Sequence, residues 1–278
     1  MLFGVLGPLE VRDGRDAIDL GAGKPVTMLS ALLLNANAWV SLEQLIAVTW
    51  QQTAAPASAA RNISTYVWQM RKLLGTDRIE GRRGAYRMRI EPGELDAHQL
   101  EEHAAAAQRA RSAGDVDGEL AHLEAAGRLW RGTPYQELVA DPEASLEADR
   151  LRELYLTVRT DQAEALVRAG RPAQAAVLLR EVTARDPLRE HAWALLVRSL
   201  HHAGRRGEAE ATYRRARSTL LAELGVEPGP ELAAAREVSA EPDPYELAAA
   251  SGVDVASVKR VLACLQRRVN GPSAWQVA

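Results

Sequence analysis

The sequence contains a single cysteine, Cys264, among its 278 residues. One thiol cannot build an internal disulfide framework, so the sequence excludes the small secreted proteins that depend on such bonds. It also lacks any run of about 18 apolar residues, which a membrane-spanning helix would need. The apolar stretch Met1–Gly7 has no leading Lys or Arg and meets Glu10 and Arg12 too soon for a signal peptide. We therefore expect a cytoplasmic protein that is long enough for two folded domains.

Residue sets that would support catalysis or cofactor binding are also missing from the sequence. The segment Gly21–Lys24 matches a phosphate-binding loop only in part, because that motif needs glycine at Ile18 and Ser or Thr at Pro25. His201 and His202 are adjacent, so on a helix they point about 100° apart and cannot bind one metal ion from one face. No nucleophile, base and orienting residue have a spacing that favours hydrolysis. The sequence therefore predicts neither an enzyme nor a metal or cofactor site.

Charge is unevenly distributed along the chain, whose formal net charge is −3. The segment from Ser58 to Arg89 contains eight basic residues against two acidic ones, Asp77 and Glu80. The basic residues are Arg61, Arg71, Lys72, Arg78, Arg82, Arg83, Arg87 and Arg89. The acidic surplus lies downstream, in Glu-rich helical segments that keep a scaffold soluble. A local basic segment of this kind favours a nucleic-acid partner despite the negative total.

Hydrophobic periodicity divides residues 2–90 into a small sheet, three helices and a hairpin. Ser41 and Gln44 have the spacing of a capping box, which marks the start of the second helix. Gly75 ends the third helix, and the following residues are typical of a hairpin with Gly81–Gly84 at its tip. The predicted strands cover residues 2–6, 9–12, 17–20, 78–80 and 85–90, and the predicted helices cover about 24–35, 41–50 and 58–74.

The third predicted helix has two chemically different faces. With successive residues placed about 100° apart, its apolar side chains share one face, which we expect to be buried. These side chains are Ile63, Tyr66, Val67, Met70 and Leu74. The opposite face carries basic and hydrogen-bonding side chains and should be exposed. These are Arg61, Asn62, Ser64, Thr65, Trp68, Gln69, Arg71 and Lys72.

Three helices followed by a basic hairpin form the layout of a winged helix-turn-helix, in which the last helix enters the major groove of DNA. Arg, Asn, Ser, Thr and Gln side chains can read base edges there, and arginines at a hairpin tip can approach phosphates or a minor groove. The predicted base readers are Arg61, Asn62, Ser64, Thr65 and Gln69. The predicted phosphate or minor-groove contacts are Arg71, Lys72, Arg82 and Arg83. The alternative, a basic helix that is merely solvated, does not explain why order, spacing and polarity coincide.

Trp68 lies on the predicted exposed face, where a large aromatic residue is unusual. It could contact a thymine methyl group, contact a second protomer or RNA polymerase, or pack against the neighbours of Leu74. The sequence leaves these alternatives open.

The chain from residue 94 to Leu224 is helical in pattern and contains an internal repeat. Ala169-Gly170-Arg171 recurs as Ala203-Gly204-Arg205 at an offset of 34 residues, which is the tetratricopeptide period. Such repeats are helix pairs that stack to bury their apolar faces. The expected core residues are Leu178, Leu179, Trp193, Leu196, Leu200 and Tyr213.

The C-terminal segment contains a second possible DNA-binding pattern. Residues 247–262 resemble the helix-turn-helix unit of LacI-like repressors, with Gly252 at the turn. The same helix pair could instead be a polar cap on the helical array, without DNA contact.

Several motifs, taken together, identify the chain as similar to the Streptomyces antibiotic regulatory protein family over about residues 2–238. The motifs are Leu6-Gly7-Pro8-Leu9-Glu10-Val11, Leu32–Asn37, Arg61-Asn62 with Thr65-Tyr66-Val67, Leu95-Asp96-Ala97, Pro187-Leu188-Arg189-Glu190 with Trp193, and Glu223–Pro230. The resemblance implies a mainly α fold with a small β component. An OmpR-like winged helix-turn-helix (residues 1–92) would precede a tetratricopeptide-like bacterial transcriptional activator domain (93–240) and a helical extension (241–278).

The resemblance also implies a function, namely activation of antibiotic biosynthetic genes by binding direct repeats in promoter DNA and engaging RNA polymerase. Protomers would then lie head to tail on DNA or form a homodimer. This chain departs from the family pattern at Val26, at Trp68-Gln69 and in the wing sequence Gly84-Ala85-Tyr86, so the operator sequence does not transfer. A competing hypothesis is a helical-repeat adaptor that binds a protein or a small regulatory ligand, with DNA binding weak or lost.

Overall fold

The structure is a computed structural model that describes residues 1–237. The fold is mainly helical with a small β component, as the sequence predicts, and forms two compact units, Met1–Arg171 and a unit that begins at Pro172. The predicted extension at 241–278, with its helix-turn-helix pattern, lies outside the described residues. No helix in residues 1–237 is both long and apolar enough to span a bilayer.

The chain opens with an antiparallel sheet of three short strands, β1 (Leu2–Gly4), β2 (Glu10–Asp13) and β3 (Asp16–Ala17), in the order β1-β2-β3. Phe3 pairs with Val11, and both side chains are fully buried beneath the sheet. Each strand is shorter than, or shifted from, its predicted span. This short sheet therefore contributes one buried face to the core of the first unit.

Three helices follow, as predicted: α1 (Lys24–Leu34), α2 (Leu42–Thr49) and α3 (Ala59–Leu74). The predicted capping box at the start of α2 is present. Ser41 Oγ accepts a hydrogen bond from the Gln44 amide at 3.1 Å, and Gln44 Oε1 accepts one from the Ser41 amide at 2.9 Å. These bonds satisfy donors that a helix start otherwise leaves unpaired.

The hairpin after α3 belongs to a second three-stranded sheet, β4 (Val40–Ser41), β5 (Ile79–Arg82) and β6 (Ala85–Met88), in the order β4-β6-β5. Strand β4 was not predicted. The hairpin turn is also tighter than predicted, because Arg82 is part of β5 and only Arg83 and Gly84 lie in the turn. Gly84 has a φ of 73°, which glycine adopts without steric cost.

The first unit continues with α4 (Asp96–Ser112), α5 (Val116–Arg128), a short 3-10 helix (Gln136–Leu138) and the long α6 (Pro142–Arg168). Helix α5 packs against both α4 and α6. In the second unit, α8 packs against α7, α9 and α10. Between Pro172 and residue 237 its helices are α7 (Pro172–Arg185), α8 (Glu190–His202), α9 (Arg206–Leu224) and α10 (Pro230–Glu237).

The two repeated turns have matching backbone conformations. Gly170 and Gly204 have φ values of 72° and 73°, and the residue after each glycine donates its amide to a carbonyl five residues earlier at 2.8 Å. A third turn of this kind at Gly114, with φ 74°, was missed by the repeat pattern. All three are helix C-caps that need a left-handed residue, which explains the glycine. Of the expected core residues in this region, Leu178 is half-buried and the others are buried.

The winged helix-turn-helix elements are tied to the start of α4 through a buried carboxylate. Asp96 accepts hydrogen bonds from the amides of Val5 and Leu6 at 2.8 and 3.1 Å, and Arg131 lies 3.3 Å from it. Burial raises the pKa of Asp96 above its ordinary value, although these three hydrogen bonds oppose the change. The 3-10 helix contributes as well, because Glu137 accepts the Leu9 amide at 2.7 Å. The domain boundary proposed between residues 92 and 93 stays a prediction.

Candidate nucleic-acid interface

Helix α3 has the two faces that its sequence predicts. Ile63, Val67, Met70 and Leu74 are at most 3% exposed, and Tyr66 is half-buried with its ring stacked on Trp50. On the opposite face most of the predicted contact residues are exposed, and two are half-buried. The exposed residues are Arg61, Ser64, Thr65, Trp68, Gln69 and Lys72, and the half-buried ones are Asn62 and Arg71. The hydrophilic face of α3 is therefore not covered within Met1–Arg171.

The hydroxyl groups on this face are held by the helix backbone. Ser64 Oγ donates to the Ala60 carbonyl and Thr65 Oγ1 donates to the Arg61 carbonyl, each at 3.1 Å. A hydroxyl that has donated its proton still has oxygen lone pairs. Both groups can therefore accept a hydrogen bond from an external donor, such as a base amino group in a major groove.

Trp68 is 57% exposed, and its ring contacts a residue of its own helix. The Lys72 ammonium group lies 4.6 Å from the centre of the indole ring, one turn further along α3. A cation above an aromatic face is attracted by the ring quadrupole. The tryptophan thus supports the position of the lysine and keeps more than half of its own surface open to solvent.

Two hydrogen bonds connect α3 to the β5–β6 hairpin, which we call the wing. Arg71 Nε donates to the Ile79 carbonyl on β5 at 2.8 Å, and Ser64 Oγ lies 3.3 Å from Tyr86 Oη on β6. The Nε–H of Arg71 is therefore already hydrogen-bonded to the wing. These contacts hold the helix and the wing at a fixed separation.

Carboxylates neutralise some of the basic residues between Ser58 and Arg89, and other basic residues there have no carboxylate partner among the described residues. Glu94 accepts hydrogen bonds from both terminal guanidinium nitrogens of Arg78, at 2.6 and 2.7 Å. Glu80 pairs with Arg87 and, at 3.3 Å, with Arg89, and the hydrogen bond from Arg87 lowers the pKa of Glu80. Within residues 1–237 the other five basic residues have no carboxylate at ion-pair distance. These are Arg61, Arg71, Lys72, Arg82 and Arg83.

The five cations without a carboxylate, which we call the unpaired cations, lie on α3 and at the end of the wing. They are also the basic residues that the sequence pattern selects as DNA contacts. An unneutralised, solvent-facing group of cations attracts a polyanion, because binding releases the counterions that the polyanion had condensed. The arrangement is therefore suited to a phosphate backbone.

Sequence reasoning missed Trp39, a half-buried residue of this surface. Its ring centre lies 4.3 Å from the guanidinium carbon of Arg82 and 4.7 Å from that of Arg87. The sequence alone gives little signal for this contact, because Trp39 precedes the unpredicted strand β4. Its position beside the wing depends on a pairing between segments more than 40 residues apart.

Comparisons with known proteins agree with this architecture. The family model described as the bacterial transcriptional activator domain matches residues 95–238. The regulatory protein DnrI of Streptomyces peucetius is 32% identical over 84% of this chain and 89% of its own length. The regulatory protein AfsR of Streptomyces griseus is 34% identical over 83% of this chain, which spans only 24% of AfsR.

A mycobacterial regulator is similar in both sequence and structure. The transcriptional regulatory protein EmbR of Mycobacterium tuberculosis is 32% identical over 84% of this chain and 62% of its own length. The structure of EmbR in complex with a low-affinity phosphopeptide matches with a TM-score of 0.76 and 28% identity, over 97% of this chain and 70% of that one. The chain therefore matches DnrI over most of its length and corresponds to part of AfsR and EmbR.

Proposed function

The chain belongs to the Streptomyces antibiotic regulatory protein family of transcriptional activators, and from this we propose that it binds promoter DNA through α3 and the wing. The proposed activity is cytoplasmic and non-enzymatic. The protein would activate a biosynthetic gene cluster for a secondary metabolite, in line with the similarity to DnrI and AfsR.

The observation that carries the proposal is the distribution of the unpaired cations. Three of the eight basic residues between Ser58 and Arg89 are neutralised by Glu80 or Glu94, and those left over lie on the exposed face of α3 and on the wing. Cations that are left open together on one helix face and on the wing favour an anionic partner over a surface that is merely solvated. A duplex with one phosphate charge per about 1.7 Å is the natural counterpart.

The residues have different proposed roles on DNA. Arg61, Asn62, Ser64, Thr65 and Gln69 would read base edges in the major groove, where their donors and acceptors match those of the bases. Trp68 would add an apolar contact, for example with a thymine methyl group. Lys72 and Arg71 would bind phosphates, and Arg82 and Arg83 would approach a minor groove or its phosphates.

The helical region has a separate proposed role. We propose a boundary between a DNA-binding domain (1–92) and an activator domain (93–240), and the family match that begins at residue 95 supports it. The activator domain would contact RNA polymerase, while protomers bind direct repeats in the promoter. Helical hairpins of this type provide extended surfaces for protein partners.

The test is a selection of duplexes from a random library by the full chain, followed by footprinting on the promoters of neighbouring biosynthetic genes. We expect a recurring sequence, repeated in direct orientation, and a footprint over it. A pull-down with RNA polymerase then tests whether the chain binds the polymerase, as an activator would. Polymerase binding without any selected sequence or footprint would overturn the DNA-binding function and favour the adaptor hypothesis.

A further inference from the structure

Trp39 lies beside the second sheet, immediately before β4. Strand β4 pairs with β6 through Val40 and Tyr86, and the Trp39 ring contacts Arg87, the next residue of β6. On the far side of β6, Arg87 pairs with Glu80 of β5. Glu80 and Arg87 thus form one cross-strand pair, and the Trp39 ring lies against the arginine of that pair. Arg82, two residues beyond Glu80 on β5, projects from the same face because side chains alternate along a strand.

Both arginines of this face lie against the Trp39 ring but, up to residue 237, only Arg87 is also paired with a carboxylate. Their guanidinium carbons are 4.3 Å (Arg82) and 4.7 Å (Arg87) from the ring centre. Arg87 is also bound by the Glu80 carboxylate, with its Nε at 3.1 Å. Arg82 has no carboxylate at ion-pair distance in the described part of the chain, and it is exposed. The ring therefore orients Arg82 without neutralising it.

Arg83 provides an internal comparison, because it is the next residue and has the same charge. It lies in the hairpin turn beside Gly84, is exposed, and has neither an aromatic ring nor a carboxylate at contact distance within residues 1–237. A free arginine loses rotamer entropy when a ligand immobilises it, whereas an arginine already held by a ring loses less.

From this difference we infer that Trp39 is a positioning residue, which holds Arg82 in place for DNA and leaves Arg83 unsupported. The inference rests on the proposed DNA-binding function, and it adds a specific role for a residue outside both α3 and the wing. Arg82 then acts as a preorganised contact. Glu80 contributes indirectly, since it holds Arg87 against the other part of the ring.

The test is a double-mutant cycle on the full chain, with the duplex that the wild-type chain selects from a random library as the probe. Trp39→Leu should raise the Kd about 3- to 10-fold, the range expected when one side chain must be immobilised on binding. Arg82→Ala should cost clearly less in the Trp39→Leu background than in the wild-type chain, because the ring no longer supports it. Arg83→Ala is the matched control and should cost the same in both backgrounds.

A measurement without DNA separates this inference from the proposed function. The ring current of Trp39 should shift the NMR signals of the Arg82 side chain upfield, and Trp39→Leu should remove that shift. If the shift is present but the wild-type chain binds no duplex, the positioning role for DNA fails together with the proposed function. If the wild-type chain binds DNA and Arg82 costs the same in both backgrounds, the inference alone is overturned.

A conservative variant provides the control for a folding defect in Trp39→Leu. Trp39→Phe keeps an aromatic face with a weaker attraction for cations, so it should fall between the wild-type chain and Trp39→Leu in both Kd and coupling to Arg82. Should Trp39→Leu fail to fold, the cycle is run with Trp39→Phe. An equal rise in Kd on Arg82→Ala in the wild-type and Trp39→Phe chains would then contradict a role for the tryptophan ring.

Discussion

Two arginines of the helical hairpins differ from the unpaired cations of α3 and the wing in their surroundings. Arg111 of α4 lies 3.0 Å from Glu164 of α6, and Arg180 of α7 lies 2.8 Å from Glu208 of α9. In contrast, Arg61 on α3 has no such carboxylate within residues 1–237. Each of the two helical pairs joins two helices of one unit. A carboxylate of the same unit neutralises each of these two scaffold arginines, whereas the unpaired cations have none in the described part of the chain and can bind a polyanion.

The largest effect on this comparison is expected from removing two unpaired cations. Arg61→Ala combined with Lys72→Ala should cost at least about 2 kcal/mol of DNA-binding free energy, roughly a 30-fold rise in Kd, because a base reader and a phosphate contact are both lost. The measurement is a fluorescence-anisotropy titration of the selected duplex.

The matched control for that variant removes the same charge from the scaffold. Arg111→Ala combined with Arg180→Ala should leave the Kd within about twofold, because both arginines lie outside α3 and the wing and the loss of an exposed ion pair costs little stability. An unchanged Kd for Arg61→Ala/Lys72→Ala would show that α3 is not the DNA-binding helix.

A buried carboxylate should matter for folding rather than for DNA contact. Asp96→Ala removes the acceptor for the Val5 and Leu6 amides, and buried donors without an acceptor are costly. We expect a loss of about 2–3 kcal/mol in the free energy of unfolding, measured by urea denaturation. Glu208→Ala is the control, since its carboxylate is exposed and its removal should cost clearly less stability. Equal losses would contradict the structural importance of the contact between α4 and the segment that follows β1.

Releasing the paired cations of the wing should have the opposite effect to removing unpaired ones. Glu80→Gln removes the carboxylate that neutralises Arg87 and Arg89, and should therefore tighten binding to non-specific duplex DNA about 3- to 10-fold at low salt. Glu124→Gln, on an exposed helical ion pair, is the control. No change for Glu80→Gln would mean that the wing lies away from the duplex.

The smallest effect concerns a histidine of the scaffold. His103 Nδ1 lies 3.2 Å from His122 Nδ1, and burial together with the neighbouring ring lowers the pKa of His103. The unfolded chain then binds a proton more readily than the folded one, so stability should fall as the pH drops below about 6.5. His103→Gln should weaken the dependence of the melting temperature on pH between 7 and 5. An unchanged pH dependence would contradict this.

Local patterns in the sequence predicted the elements that depend on local interactions. The Ser41 capping box, the end of α3 at Gly75 and the buried face of α3 follow from spacing within one or two helical turns. Strand β4 and the contacts of Trp39 depend instead on pairing with β6, and hydrophobic periodicity contains no information on that register. The same holds for Asp96, whose partners lie about 90 residues earlier in the chain.

The candidate site was predicted by residue type more than by geometry. The helical pattern assigned Arg61 and Lys72 to the exposed face, where the structure has them. It could not show that Arg71 donates to the Ile79 carbonyl, nor that Glu80 neutralises Arg87. These contacts join different elements, and they decide which charges remain available to a partner.

The dependence of DNA affinity on salt concentration directly tests whether the unpaired cations bind the DNA backbone. The slope of log Kobs against log salt concentration should fall by about one for Lys72→Ala and for Arg83→Ala, because each removes one phosphate contact. Arg111→Ala removes the same charge from an ion pair and should leave the slope unchanged. Identical slopes for all three variants would contradict the assignment of the unpaired cations to DNA.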